Sequence, residues 1–186
     1  IGNWEWDLKQ GILHWGEENY RIFGLPRETI PSAEAFLATV HPDDLERVQR
    51  SMDDALKGKS AYDLDFRIRR PADGTERVIH ANGEVTRDVE GQPAQFFGTV
   101  QDITERQQAE ERILALVEMV NAAPLSILVH DSAGQFLYAN PSTFALHQYS
   151  EPEFMALNLH ALDVPASAAL LQARLEQVAQ TGQASF

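Results

Sequence analysis

The chain contains no cysteine. That excludes disulfides, thiolate zinc sites, iron–sulfur clusters and cysteine nucleophiles, together with any flavin or other chromophore held by a cysteine adduct or thioester. Basic residues are scarce: 15 Lys and Arg stand against 28 Asp and Glu, a formal net charge of −13. Phosphate backbones are bound by clustered Lys and Arg. The nearest approach to such a cluster, Arg67, Arg69 and Arg70, has Asp63 and Asp65 close by and reads as a mixed solvent face, so nucleic acid is not expected as a partner. No apolar run approaches the ~18–20 residues a membrane helix requires, so no membrane contact is expected in this segment. The start, Ile1-Gly2-Asn3-Trp4, carries neither an initiator Met nor a signal-peptide pattern, and the expectation is a piece of a longer, cytoplasmic protein. Nucleotide-binding glycine motifs and the G-x-S-x-G nucleophile elbow are missing too. Catalytic residues are therefore assigned nowhere, and the segment reads as non-enzymatic.

What is present is the composition of a globular chain: 186 residues, 44% hydrophobic and 23% charged, enough for one large or two small domains. Three regions differ. Residues 1–103 hold all three tryptophans and most of the charge; residues 104–121 contain no Gly or Pro; residues 123–186 carry Arg174 as their only Lys or Arg.

In the first region, Trp4-Glu5-Trp6-Asp7 alternates apolar and charged residues, the period of a half-buried strand. Gly11 turns the chain into a second strand, Ile12 to Trp15. Glu17–Phe23 reads as a short helix stopped by Gly24 and Pro26, and Pro31–Val40 as a second helical piece. His41-Pro42-Asp43-Asp44 has the chemistry of a helix start rather than a metal site, since Pro suits the first position and carboxylates the positive end of the dipole. The adjacent carboxylates there, like Asp53 and Asp54, read as solvated charge. Tyr62, Leu64, Phe66 and Ile68 alternate with Asp63, Asp65, Arg67 and Arg69, the clearest period of two in the chain. Asp73-Gly74 and Glu90-Gly91 are turns into strands Glu76–Arg87 and Ala94–Ile103. This order predicts an α+β fold: a five-stranded antiparallel sheet with helices on one face.

Thr104 and Gln107 stand in capping-box spacing at the head of a connecting helix. Arg106, Ala109, Ile113, Leu116 and Val120 form a weak heptad seam, apolar in its second half. Beyond it the opening pattern returns: strands Leu125–His130 and Gln135–Ala139, short helices Pro141–His147 and Glu151–Ala156, a longer helix Ala166–Ala179, and a strand beginning at Ala184-Ser185-Phe186. Six histidines are available as haem ligands, but none lies in a supporting motif.

Several stretches of the first region resemble the PAS/PAC sensor domains of the W-x-W-D subclass. They are Gly2-Asn3-Trp4-Glu5-Trp6-Asp7, Tyr20-Arg21-Ile22-Phe23-Gly24, Val40-His41-Pro42-Asp43-Asp44, Asp73-Gly74 and Gly98-Thr99-Val100-Gln101-Asp102-Ile103-Thr104. Tyr138-Ala139-Asn140-Pro141 and Tyr149-Ser150 resemble the N-terminal half of a generic PAS domain. Two positions depart from the pattern: Val78 stands where many members carry Trp, and His147-Gln148-Tyr149 replaces the usual Gly-Tyr.

The resemblance implies a sensor domain over 1–103, a helical signalling linker over 104–122 and a truncated second PAS domain over 123–186. It implies a relay upstream of a C-terminal output such as a bacterial-type histidine kinase or diguanylate cyclase, with Asp102, Ile103 and Thr104 coupling the sheet to the exit helix. The apolar faces of Trp4, Trp6, Tyr62, Leu64 and Phe66 are the candidate ligand pocket, its ligand unnamed. A homodimer through the seam Ala109, Ile113, Leu116 and Val120 and through the PAS faces is the expected partner arrangement. The alternative is a ligand-free module serving dimerisation.

Overall fold

The computed structural model describes residues 1–162. The helix expected over Ala166–Ala179 and the strand expected at Ala184–Phe186 lie outside the described residues. The chain divides into two compact units, Ile1–Glu110 and one beginning at Glu111.

The first unit opens with the hairpin β1 (Gly2–Asp7) and β2 (Ile12–Trp15), then α1 (Glu17–Phe23), α2 (Ala33–Leu37) and α3 (Pro42–Leu56). A meander of β3 (Tyr62–Arg69), β4 (Glu76–Arg87) and β5 (Pro93–Asp102) completes it. The strands form one antiparallel sheet in the order β2-β1-β5-β4-β3, so the last strand lies beside the first. Alternation sends Tyr62, Phe66, Ile68, Ile79, Ala81, Phe96 and Val100 inward, where all are buried, and leaves Asp63, Asp65, Phe97 and Gln101 exposed.

Helix starts follow their capping chemistry. Ser32 Oγ accepts the Ala35 N–H at 3.0 Å at the head of α2. The His41 ring accepts the Asp43 N–H at 3.3 Å at the head of α3. Helix α2 is shorter than the sequence suggests because Val40 is drawn into a bridge with Ile68 of β3.

Two expectations from the sequence need correction. Asp44 is not a solvated helix carboxylate: it is buried, and accepts the Arg67 backbone N–H at 2.8 Å and the Arg67 Nε–H at 3.0 Å. Arg67, for its part, turns from the outer face of the sheet to the head of α3. The second correction concerns α4 (Thr104–Ala122). Thr104 and Gln107 form no capping box; Asp102 caps the helix from just before it, accepting the Thr104 N–H at 2.9 Å.

In the second unit, β6 (Leu128–His130) and β7 (Phe136–Ala139) form a hairpin, followed by α5 (Pro141–His147), α6 (Glu151–Met155) and α7 (Leu159–Leu162). Its core is Phe136 stacked on Phe154, with Phe144 edge-on. Asn140, fully buried at the head of α5, accepts the Ile127 N–H and donates to the carbonyls of Val120 and Leu125. Strand β6 is shorter than expected: ahead of it, Leu125 O and the Ile127 N–H bond to the Asn140 side chain.

Candidate functional site

One row of the first sheet runs Trp4, Gly98, Gly83, Tyr62 across β1, β5, β4 and β3. The two central residues have no side chain, and the ring of Trp4 lies over them. A Cβ on Gly83 or Gly98 would come within 2.9 or 2.8 Å of the Trp4 ring. Trp4 thereby reaches Tyr62, at 6.1 Å between ring centres, and Phe96 at 4.7 Å, both edge-to-face. This row is the floor of a cavity between sheet and helices.

Trp6, Trp15 and Val100 extend the floor; Phe23 of α1, Phe36 of α2 and Met52 of α3 close it from above. The cavity has a volume of about 40 Å³ and is partly open to solvent. At ~10–15 Å³ for one water, it holds only a few. Among the described residues no charged side chain lines it. Burial pushes the Tyr62 phenol well above its ordinary pKa, so Tyr62 stays neutral.

The one polar amide on the wall is Asn19 of α1, which is completely buried. Among the described residues, neither its Oδ1 nor its Nδ2 has a hydrogen-bond partner. The side chain is wedged against the start of β1, where a Cβ on Gly2 would fall 2.2 Å from its Oδ1.

From the cavity wall, β5 leads directly to the exit helix. Val100 lines the cavity, and Asp102 Oδ1 accepts both the N–H and the hydroxyl of Thr104, at 2.9 and 2.5 Å. Thr104 Oγ1 accepts the Val78 N–H at 2.9 Å, and the Ile103 N–H bonds to Val78 O at 2.9 Å. Arg77 adds an ion pair with Asp102 at 3.9 Å. The root of α4 is thus tied to β4 as well as β5, with Ile103 and Thr104 both buried.

Of the pocket residues named from the sequence, the structure brings Trp4, Trp6 and Tyr62 together at the cavity. Leu64 and Phe66 do not line it, a correction to the expected pocket. Phe66 is consumed by the core, where it meets Phe36 edge-to-face, and Leu64 is half-buried against that same core. Trp15 lines the cavity as well. Asn19, Phe36, Met52 and Phe96 were not foreseen, because they reach the cavity from other elements. On α4, Ala109, Ile113 and Leu116 are exposed and Val120 is half-buried; Leu114, Val117 and Met119 are exposed beside them. Among the described residues no group of three His, Asp or Glu side chains is placed to hold a metal ion, and no histidine lines the cavity. No helix there is long and apolar enough to cross a membrane.

Comparison with known proteins places these features. The family model described as the PAS fold matches residues 12–100. The probable diguanylate cyclase DgcE of Escherichia coli strain K12 is 26% identical over 163 residues, 86% of this chain and 15% of the relative. The sensor protein FixL of Bradyrhizobium diazoefficiens is 26% identical over 166 residues, 87% of this chain and 33% of the relative. The chain therefore spans a third or less of either relative. A sensory box histidine kinase/response regulator from Burkholderia thailandensis matches in structure with a TM-score of 0.53 at 26% identity, over 66% of this chain and 91% of that one. The N-terminal domain of a diguanylate cyclase with PAS/PAC sensor from Marinobacter aquaeolei shares the fold, with a TM-score of 0.52 at 22% identity, over 57% and 97% of the two chains.

Proposed function

The chain belongs to the PAS fold family through its first unit, and from that premise we propose that it is a sensory relay of a cytoplasmic signal-transduction protein. A small molecule in the aromatic cavity biases β5 and, through it, the root of α4 between two arrangements. The observation that carries this reading is the short path along β5: Val100 is cavity wall, and Asp102, on the same strand, holds Thr104. The output under control is of the class named for its relatives, a histidine kinase or a diguanylate cyclase, C-terminal in the full-length protein. The second unit is the N-terminal half of a further PAS domain; its order of hairpin and short helices repeats that of β1, β2, α1 and α2.

A homodimer through α4 supplies the receiving end. Ile113, Leu116, Val117 and Val120 share one face of that helix at heptad-like spacing, and its apolar residues are largely exposed. The same observation favours the second reading, a ligand-free dimerisation module.

Asp102→Ala in the full-length protein separates the readings. The relay predicts an output that no longer follows the stimulus, in a domain that still folds after losing about 1–2 kcal/mol of capping. An output that responds as in the wild type removes the hinge from the mechanism. Sedimentation of the 186-residue chain tests the dimer: a dimer that Ile113→Glu with Leu116→Glu converts to monomer supports the seam, and a monomer at all concentrations overturns it.

A further inference from the structure

We propose that Asn19 is the recognition group of the cavity, and that its ligand is small, neutral and planar, with a hydrogen-bond donor and acceptor side by side, as in a lactam or a primary carboxamide. This rests on the reading of the cavity as a ligand site and specifies its chemistry.

The amide is the starting point. Buried donors and acceptors in folded proteins are almost always paired, and leaving one unpaired is unfavourable. Asn19 leaves both side-chain atoms unpaired at zero exposure, on the wall of a cavity. An apolar residue of the same size would avoid that penalty. The amide is therefore complementary to something that enters. One edge of a carboxamide offers an N–H and a C=O together, and a ligand edge with adjacent C=O and N–H answers both in one planar pair.

The rest of the wall sets the other properties. With no charged side chain on it among the described residues, an ionic ligand would be buried without a counter-charge, which is strongly unfavourable. The aromatic side chains of Trp4, Trp6, Trp15 and Phe96 line the cavity, and aromatic walls are the usual complement of a planar ligand. A cavity of about 40 Å³ holds a few atoms as it stands, so a ring-sized ligand enters as a lining side chain moves aside. Wedged against Gly2 and fully buried, the amide is covered by its neighbours, so the ligand meets it as a lining side chain moves aside.

The experiment compares the 186-residue chain with its Asn19→Leu variant, using 2-pyridone, a small lactam, and toluene, of similar size but without polar atoms. Thermal unfolding of the unliganded proteins comes first. Asn19→Leu should raise the midpoint of the first unit by about 4 °C or more, because an unpaired amide is replaced by an apolar side chain. A fall of similar size means that the amide has a structural partner and overturns the proposal. In wild type, 2-pyridone should bind about tenfold or more tightly than toluene, and in Asn19→Leu that order should reverse. Unchanged selectivity with both probes binding overturns the role of Asn19 while leaving a ligand cavity in place. Failure of both probes to bind either protein overturns the ligand reading itself. A readout that needs no variant is the Asn19 side-chain amide resonance in wild type. It should move on adding 2-pyridone and stay in place with toluene; movement with both, or with neither, contradicts the proposal.

Discussion

Two asparagines, one in each unit, sit in or before short helices and are both completely buried. Asn140 is saturated: its Oδ1 accepts from the Ile127 and Thr143 N–H groups, and its Nδ2 donates to the carbonyls of Val120 and Leu125. Asn19 has no bond from either side-chain polar atom among the described residues. The same side chain is thus a staple in one place and an unanswered group in the other. Burial alone does not tell a structural polar residue from a functional one; the state of its hydrogen bonds does.

Substituting Asn140 gives the largest expected effect on this contrast. Asn140→Leu strands several backbone groups around α5 and should cost about 3 kcal/mol or more in the second unit's unfolding transition, opposite in sign to the gain expected for Asn19→Leu. A small loss at Asn140 would erase the distinction.

Next comes Asp44, the first unit's own saturated polar group. Asp44→Ala should cost about 1.5–3 kcal/mol by chemical denaturation. Hydrogen bonding from the Arg67 side chain holds the Asp44 pKa down at about 2, against an ordinary value of 3.8. The folded form is the stronger acid, so its stabilisation is complete above about pH 5 and fades as the pH falls towards 2. The Asp44→Ala variant should lose this part of the acid dependence, and an acid limb identical to that of the wild type would show that the pair contributes little.

The smallest effect comes from the residues that end the two short helices. Gly24 closes α1 at φ 67° and Gln148 closes α5 at φ 60°, both left-handed. Only glycine enters that region without a penalty of about 1–2 kcal/mol. Gln148→Gly should therefore stabilise by about 1 kcal/mol. Gly24→Ala should destabilise by that much or more, since its Cβ would also fall 2.9 Å from Arg70 Nε. Equal and negligible shifts in the two midpoints would contradict the account.

The fold was legible where its cause is local. Alternation along Tyr62–Ile68 and the Pro42-Asp43-Asp44 helix start are properties of a few consecutive residues, and the strand and helix bounds there agree closely with expectation. The site was legible only in part. Trp4, Trp6 and Tyr62 announce an apolar inner face, but nothing local says that Gly83 and Gly98 lie between them and make room for an indole. Phe66 has the same periodic signature as Tyr62, yet it meets Phe36 in the core. Asn19 stands among Glu17, Glu18 and Arg21, a setting that reads as a solvated helix face. Asp44 has its partner in β3, far along the chain, so its burial leaves no mark on its own neighbourhood.

All three tryptophans of the chain line the cavity. Indole emission from this protein therefore comes from one place, with no background from the second unit or from α4. A shift in colour, quenching or anisotropy on mixing with a compound reports on the immediate surroundings of Trp4, Trp6 and Trp15. The domain carries its own optical probe of occupancy, and a compound library can be screened against the unlabelled chain.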